Sequence, residues 1–224
     1  MWKTVRSFGR WCRLWVRFHR TFLGLRLRRR YPEDLAFALA SGGLMAPEEA
    51  ETLHELARRT ADGCIVEIGS YHGLSTVALA KGARRGHRVR VYAVDPYVRF
   101  TGPLGTTFEP RNRRRLLQNL LLAGVADDVW CIHLRSEQAA RGWREPVGLL
   151  WVDGDHSYEG VKRDFDGWSP HLLPGGLLAF HDSTDERLGP RRLIAELLSG
   201  NRFALVKSVE TLTVLRKEGS RRDR

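Results

Sequence analysis

The sequence has few cysteines and no long hydrophobic run. Its 224 residues include three cysteines, Cys12, Cys64 and Cys131, which are widely spaced and form no C-x-x-C pair. This pattern argues against a disulfide framework or a cysteine zinc site and favours a reducing compartment. No apolar stretch approaches the roughly 20 residues that span a bilayer, and the N-terminus lacks the apolar centre of a secretory signal. We therefore expect a cytoplasmic chain, or one that lies on the inner face of a membrane.

Acidic residues are absent from the first 30 positions. That segment holds ten Lys and Arg, whereas residues 31–224 hold 27 basic residues against 26 acidic ones. The formal net charge of +11 therefore lies mostly in the N-terminal segment. A nearly neutral remainder argues against a nucleic-acid partner, since such partners require a basic surface on the folded domain.

Residues 1–30 predict a basic amphipathic helix. Trp and Phe occupy one side, and basic residues spaced by three and four occupy the other, namely Lys3, Arg6, Arg10, Arg13, Arg17 and Arg20. This pattern is typical of a helix that lies in the interface of an anionic membrane. It leaves three alternatives open: packing on the chain's own domain, packing on a second subunit of a homo-oligomer, or a transit peptide.

The rest of the chain predicts one α/β domain. Two helical segments follow Tyr31, and seven short apolar runs then extend from "CIVEIG" at 64–69 to "TLTVLRK" at 211–217, with helical segments between the first six. Strands that are buried on both faces and alternate with helices indicate a parallel sheet. The last two runs are too close for a crossover helix, so they form an antiparallel hairpin.

The predicted fold is therefore a Rossmann-like, seven-stranded, mostly parallel sheet with an antiparallel last strand and helices on both faces. This domain covers 31–217, between the 1–30 helix and a basic C-terminal tail at 218–224. A segment rich in Gly, Pro and Thr, "TGPLGTTFEP" at 101–110, predicts a loop over the ligand cleft.

The loop after the first strand, "VEIGSYHGLST", predicts a ligand site. Ligands of open parallel sheets bind beyond the carboxyl ends of the strands. Gly69 and Gly73 allow the backbone to approach a ligand, and the following helix offers free N–H groups. Asp95 ends the second strand, where a carboxylate accepts hydrogen bonds from ribose hydroxyls. A dinucleotide-binding dehydrogenase shares both features and is the alternative at this point.

With "VYAVDPY" and "GLLWVDGDHSYEGVKRDFDGWSPHLLPGGLLAFHD", this loop resembles the class I S-adenosylmethionine-dependent methyltransferases. The similarity covers about residues 44–217 and is strongest to the group that methylates hydroxyls of sugars, natural products and glycolipids. Tyr71 departs from the family, because many members have a glycine there. The resemblance implies S-adenosyl-L-methionine as cofactor, held by Glu67, Gly69, Ser70, Tyr71, His72, Gly73, Asp95, Ser136, Glu137 and Asp153.

Polar residues also follow the fourth and fifth strands. Carboxylates and imidazoles at adjacent strand ends can hold a divalent cation. By the resemblance, Asp153, His181 and Asp182 bind Mg²⁺ or Mn²⁺, and His156 acts with Asp153 in catalysis as the general base. An imidazole with its ordinary pKa is largely neutral in the cytoplasm, which suits that role. The alternative is that Asp155 or Ser157 caps the next helix and that the histidines are structural.

The sequence thus predicts methyl transfer to a hydroxyl of a sugar, glycolipid or other small molecule. A membrane-tethered protein that binds S-adenosylmethionine without turnover and a nucleic-acid methyltransferase are the alternatives. Neither the motifs nor the composition identifies the acceptor, because the fold does not determine the substrate.

Overall fold

The structure is a computed structural model that describes residues 2–27 and 31–219. Within the first helix it describes only the side chains of residue 12 and residues 14–26. Several predicted features therefore lie outside the described side chains, namely the basic and aromatic faces of residues 2–11, Arg13, and the basic positions 28–30 and 220–224.

Three helices precede the sheet, namely α1 (Trp2–Leu27), α2 (Glu33–Ser41) and α3 (Pro47–Arg59). Pro32 immediately precedes α2 and Pro47 begins α3, and two acidic residues follow each proline. Proline suits a helix start because it needs no N–H partner there, and carboxylates favour the positive end of the helix dipole.

The remaining elements alternate between strands and helices. In chain order they are β1 (Cys64–Ile68), α4 (Leu74–Arg85), β2 (Val91–Val94), β3 (Phe100–Thr101), β4 (Thr107–Phe108), α5 (Asn112–Leu122), a 3₁₀ turn (Ala126–Asp128), β5 (Val129–Ile132), α6 (Ser136–Gly142), β6 (Val147–Val152), α7 (Tyr158–Trp168), β7 (Leu172–Phe180), α8 (Gly189–Ser199), β8 (Phe203–Val209) and β9 (Leu212–Lys217).

Seven strands form one sheet in the order β5-β2-β1-β6-β7-β9-β8. The pairs from β5 to β7 are parallel, whereas β9 runs antiparallel to both β7 and β8. The predicted mostly parallel sheet with an antiparallel last strand is confirmed. Strand order reverses between β1 and β6, and the carboxyl ends of these two strands therefore border the crevice in which such sheets bind ligands.

Two hydrophobic clusters lie on the two faces of the sheet. Every residue of β1, β2 and β6 is buried, as expected for strands covered by helices on both sides. Leu53 of α3, Leu79 of α4 and Leu116 of α5 belong to one cluster, and Phe165 of α7 and Leu193 of α8 belong to the other. The predicted helices on both faces are confirmed.

Helix α1 packs on α2 through aromatic side chains. Phe18 is 1% exposed, and Phe22 stacks on Phe37 with ring centroids 4.2 Å apart. Trp15 and Leu23 remain about half exposed. Packing on the chain's own domain, one of the alternatives for this helix, therefore accounts for part of its aromatic face. No helix in the described ranges is both long and apolar enough to cross a membrane.

Candidate functional site

A cavity of about 290 Å³ opens at the carboxyl ends of the parallel strands. Its walls come from the segments after β1, β2, β5, β6 and β7, from the β3–β4 hairpin and from residues 43–45 before α3. The Gly-, Pro- and Thr-rich segment, predicted as a loop, thus includes a short hairpin at the cavity. Twelve predicted site residues line this cavity: Gly69, Ser70, Tyr71, His72, Gly73, Asp95, Ser136, Glu137, Asp153, His156, His181 and Asp182.

The turn after β1 depends on two glycines. Gly69 has φ 86°, and a Cβ there would lie 2.2 Å from the carbonyl oxygen of Asp153. Gly73 has φ 90°, and its Cβ would meet Leu116 at 2.5 Å. Both positions have a left-handed backbone, which strains any other residue, and at Gly69 the close neighbour is backbone that cannot move aside. This turn brings the ends of β1 and β6 into contact at the cavity floor.

Tyr71 adopts the turn conformation that glycine provides in many family members. Its φ of 44° is left-handed, which is uncommon for a bulky residue and costs on the order of 1–3 kcal/mol. Its ring stacks on His72 at 3.7 Å between centroids and meets Phe108 edge-on at 5.4 Å. The loop therefore keeps the turn, and these ring contacts hold the strained residue against the β3–β4 hairpin.

Asp95 links the ends of β1 and β2. Its Oδ2 accepts hydrogen bonds from the backbone N–H groups of Ser70 and Tyr71 at 3.1 and 3.3 Å, and its Oδ1 accepts one from Tyr97 at 2.8 Å. Burial raises the pKa of this carboxyl, although the three N–H groups oppose the rise. Each carboxylate oxygen has more than one lone pair, so Asp95 can accept a further hydrogen bond from the cavity.

Glu67 is the one predicted cofactor residue that does not line the cavity. It is fully buried beneath the loop, where its Oε2 accepts a hydrogen bond of 2.5 Å from Thr76. Burial raises its pKa to about 8, partly offset by the hydroxyls of Ser75 and Thr76. The side chain therefore supports the turn from below, and the predicted direct contact with a cofactor has no counterpart in the cavity wall.

Ser136 and Glu137 begin α6 at the other end of the cavity. Ser136 accepts a hydrogen bond of 2.8 Å from Trp168, which fixes the start of the helix. Asp164 of α7 also lines this end, and burial raises its pKa to about 6. The sequence analysis missed Asp164, because a polar residue within a helix is usually a surface residue.

Two carboxylates and two imidazoles alternate at the ends of β6 and β7. Oδ1 of Asp153 lies 3.2 Å from Nε2 of His156 and 3.1 Å from Nδ1 of His181. Nδ1 of His156 is 3.0 Å from Oδ2 of Asp182. Asp182 has φ 49°, a left-handed conformation that is uncommon in folded chains and directs the backbone around this cluster.

A family model described as "Methyltransferase domain" matches residues 66–183, which spans β1 to the end of β7 and contains both ends of the cavity. The chain belongs to this methyltransferase family. The match includes Glu67, Asp95 and the Asp153 cluster, so the domain is an S-adenosylmethionine-dependent methyltransferase domain, as predicted.

Solved structures share the fold of this methyltransferase. An O-methyltransferase from Bacillus cereus in complex with SAH has a TM-score of 0.62 and 18% identity, covering 84% of this chain and 92% of that one. TomG from Streptomyces achromogenes, an O-methyltransferase involved in tomaymycin synthesis and solved with SAM, has a TM-score of 0.62 and 19% identity over 84% and 91%. At these identities the likeness establishes the fold alone.

Among curated proteins, the uncharacterized protein y4gI of Sinorhizobium fredii is 51% identical over 37 residues, which is 16% of this chain and 4% of that protein. The methyltransferase therefore spans only a small part of the length of this relative.

The carboxylates hold both imidazoles of the methyltransferase in the charged form. Burial would lower the pKa of His156, but its contacts with Asp153 and Asp182 raise it to about 9. Burial would also lower the pKa of His181, but the carboxylate of Asp153 is the main cause that raises it to about 11. Burial likewise opposes the change at Asp153, where the two imidazoles lower the pKa to about 2. The expectation of a largely neutral His156 is therefore wrong for the free protein.

The donor atoms suit a divalent cation. Asp153, His156 and His181 each offer one ligand atom, and these atoms lie within 4.8 Å of one another. The predicted set contained Asp182 in place of His156. The structure differs because Asp182 faces the other nitrogen of His156, whereas His156 shares the carboxylate oxygen of Asp153 with His181. A mixed carboxylate and imidazole set favours Mn²⁺ and other borderline ions over Mg²⁺.

The capping alternative is correct for Ser157, and Asp155 supports the capping residue. Asp155 accepts a hydrogen bond from the N–H of Ser157 at 2.9 Å, and Ser157 accepts one from Gly160 at 3.1 Å. These side chains begin α7. His156 and Asp153 are not used in this cap and are directed to the cavity instead.

Glu49 joins the cluster from outside the family match. This carboxylate of α3 is 2% exposed, and its Oε2 lies 3.5 Å from Nε2 of His181, which is an ion-pair distance and longer than a hydrogen bond. The sequence indicated only an acidic residue at a helix start, because nothing in the pattern shows that α3 reaches the end of β7.

Proposed function

We propose that this protein transfers the methyl group of S-adenosylmethionine to a hydroxyl oxygen of a small molecule. The observation that carries the proposal is a carboxylate and imidazole cluster that opens into the same cavity as the glycine turn and Asp95. The two solved relatives described above support an oxygen acceptor, because both are O-methyltransferases.

The cofactor would extend from Asp95 toward Asp153. Asp95 would accept hydrogen bonds from the ribose hydroxyls, the backbone around Gly69 and Gly73 would contact the methionine portion, and Ser136 with Glu137 would lie at the adenine. This orientation brings the sulfonium methyl to the end of β6. The acceptor oxygen then forms a bond to the methyl carbon as the carbon–sulfur bond breaks, and the electron pair of that bond stays on sulfur in S-adenosylhomocysteine.

The proton of the acceptor hydroxyl needs a base as the methyl group moves, since a sugar hydroxyl is a poor nucleophile at neutral pH. We assign this role to His156, which must first release the proton that it holds in the free protein. A cation bound at Asp153 would promote that release, because it offsets the carboxylate charge that raises the pKa of His156, and metal binding releases protons from a site. Both of its nitrogens face carboxylates in the free protein, at 3.0 Å to Asp182 and 3.2 Å to Asp153. An acceptor hydroxyl that replaces the longer contact would meet Nε2, while Asp182 keeps the ring oriented and stabilises the charge that forms on it.

A divalent cation is part of the proposal. Asp153 and His181 would hold it with His156 in reach, and His181 would release its Nδ1 proton on binding, since a ligand imidazole must be deprotonated. A bound cation would supply Lewis acidity that lowers the pKa of an acceptor hydroxyl. The cluster contains three carboxylates, Asp153, Asp182 and Glu49, and only two imidazoles. The excess of carboxylates favours a cation at this place.

We further propose that the acceptor is a glycolipid or another amphiphile reached at an anionic membrane. Three side chains that are 44–67% exposed line the cavity mouth, Leu44, Val98 and Leu104, and these suit an acceptor with an apolar part. Burial lowers the pKa of His72 in the cavity wall, and the charge of Arg17 in α1 lowers it further. The charge of Arg17 in the basic helix therefore acts on a residue of the cavity wall.

The test is methyl transfer from labelled S-adenosylmethionine to a panel of glycosides, glycolipids and phenols. With an acceptor identified, His156→Ala should reduce the rate by about 10²–10⁴-fold, the range for loss of a general base, with cofactor affinity unchanged. Asp153→Asn should also slow the reaction. His87→Ala is the matched control, because that histidine is exposed and distant from the cavity.

A loss below about fivefold in His156→Ala contradicts the base assignment. A parallel loss of Mn²⁺ affinity makes His156 a cation ligand instead. Cofactor binding without transfer to any acceptor would favour the alternative of a tethered binding protein.

A further inference from the structure

The carboxylate of Glu49 and that of Asp153 contact opposite nitrogens of one imidazole. Glu49 faces Nε2 of His181 at 3.5 Å, and Asp153 faces Nδ1 at 3.1 Å. We infer that Glu49 is a positioning residue that holds the His181 ring with Nδ1 directed at Asp153. Its expected effect on catalysis rests on the proposed function, whereas the ring orientation itself does not.

Glu49 can act in this way because its own carboxylate is fixed by three donors. Oε1 accepts hydrogen bonds from the N–H and the hydroxyl of Thr211 at 2.9 and 2.6 Å. Oε2, the oxygen that faces His181, also accepts one from the N–H of Ala46 at 2.8 Å. The carboxylate therefore joins the start of α3, the β8–β9 turn and the end of β7, and it has little freedom to move.

The two carboxylates together select one ring orientation. A His181 ring turned by 180° would present carbon atoms to both oxygens. Its two nitrogens would then lose both carboxylates in a site that is 7% exposed or less on the His181 and Glu49 sides. Leaving a buried charged group unpaired costs more than a typical hydrogen bond contributes. Trp151, which meets the ring edge-on at 5.7 Å, packs against the same imidazole.

The orientation matters because Nδ1 is the nitrogen that faces the cavity cluster. Partners behind a ligand histidine fix its ring, and their loss typically reduces metal affinity or activity by about 10–100-fold. Glu49 occupies this position for His181 although it lies 17 residues before the family match begins at residue 66. The N-terminal helices therefore contribute directly to the site.

The experiment compares Glu49→Gln with two controls in the full chain. In Glu49→Gln an NH₂ group replaces one carboxylate oxygen. The side chain then loses a hydrogen-bond acceptor and presents a donor to His181 or to the backbone. Glu48→Gln removes the same charge from the same helix turn at an exposed position. Thr211→Val removes one hydrogen bond to Glu49 but leaves the oxygen that faces His181.

In Glu49→Gln we expect a crystal structure with the His181 ring turned away from Asp153 and an Mn²⁺ affinity, measured by electron paramagnetic resonance, reduced about 10–100-fold. The turnover number should fall similarly, with cofactor affinity within about twofold. Both controls should retain ring orientation and Mn²⁺ affinity, even where Thr211→Val lowers the melting temperature.

An unchanged ring orientation and Mn²⁺ affinity in Glu49→Gln would overturn the inference, whatever happens to stability. If the wild-type protein transfers no methyl group, the proposed function fails, while the ring orientation still decides the role of Glu49.

Discussion

Glu67 is a fully buried carboxyl group beneath the glycine turn, with no cationic partner within the described residues. Its pKa is raised by burial from the ordinary 4.5 to about 8, so the folded state binds a proton that the unfolded state releases above pH 4.5. This contribution to stability is fully present below pH 4.5, declines as the pH rises, and is lost above about pH 8. The free energy of unfolding should therefore fall across this range.

Glu67→Gln should remove that dependence, because an amide does not titrate and its oxygen still accepts from Thr76. Between pH 5 and pH 8 the free energy of unfolding of the variant should rise by a few kcal/mol relative to that of wild type, since each pKa unit corresponds to about 1.4 kcal/mol. Urea unfolding at pH 5, 6.5 and 8 measures the difference. Glu48→Gln, an exposed carboxylate, controls for charge. Parallel pH profiles for Glu67→Gln and wild type would show that Glu67 is ionised in the fold.

Individual site residues differ in how far the sequence predicts them. Gly69 and Gly73 follow from the turn that a parallel strand needs before its helix, and the structure finds both at positive φ. The partners of His156 do not follow, because its contact with Asp182 depends on the strained backbone at the end of β7. The raised pKa of His156 is therefore visible only in three dimensions.

Among the elements, the strands were predictable because complete burial produces uninterrupted apolar runs, as in "GLLWV" of β6. The β3–β4 hairpin was not, since two residues per strand give no periodicity. The packing of α1 was also open. Its Trp and Phe suit either a membrane or a protein core, and only the contact of Phe22 with Phe37 shows that one part of that face is used within the chain.

Helix α1 still has an exposed surface for a membrane. Arg17 and Arg20 are exposed beside the half-exposed Trp15 and Leu23. We expect the full chain to sediment with anionic phospholipid vesicles at low salt, with about 1 kcal/mol from each basic residue near the surface. A double substitution, Arg17→Glu with Arg20→Glu, should abolish most of this binding.

The matched control is Arg141→Glu with Arg202→Glu, which makes the same charge change at exposed positions of other elements. Substitution in the full chain is preferable to deletion, because Phe18 belongs to the hydrophobic core. If both double variants sediment like wild type, or wild type ignores anionic vesicles, α1 serves packing alone.

At the scale of the whole molecule, the cavity joins the two halves of the sheet. Loops after β1 and β2 form one end, and the ends of β6 and β7 form the other. A ligand that spans both ends binds the folded state only. It should therefore stabilise the entire domain, rather than one loop, in proportion to its concentration above the dissociation constant.

We expect S-adenosylmethionine or S-adenosylhomocysteine, at 100 times its dissociation constant, to stabilise the protein by about 2.7 kcal/mol. For a chain of this size that corresponds to a rise in melting temperature of about 5–10 °C. Asp95→Ala should lose most of the rise, because it removes the proposed acceptor for the ribose hydroxyls. Each variant is compared with its own ligand-free melting temperature, because Asp95 also holds the turn and its loss can lower that temperature. Asp127→Ala, an exposed carboxylate of the 3₁₀ turn, should retain it.

NAD⁺ at the same concentration distinguishes the two cofactor classes that a glycine turn and an acidic second strand permit. NAD⁺ carries a diphosphate, and the carboxylates of Asp95, Asp153 and Asp182 all line this cavity. Like charges repel in a partly buried cavity, so we expect NAD⁺ to leave the melting temperature unchanged. A rise with NAD⁺ and none with S-adenosylmethionine would reverse the assignment of the cavity.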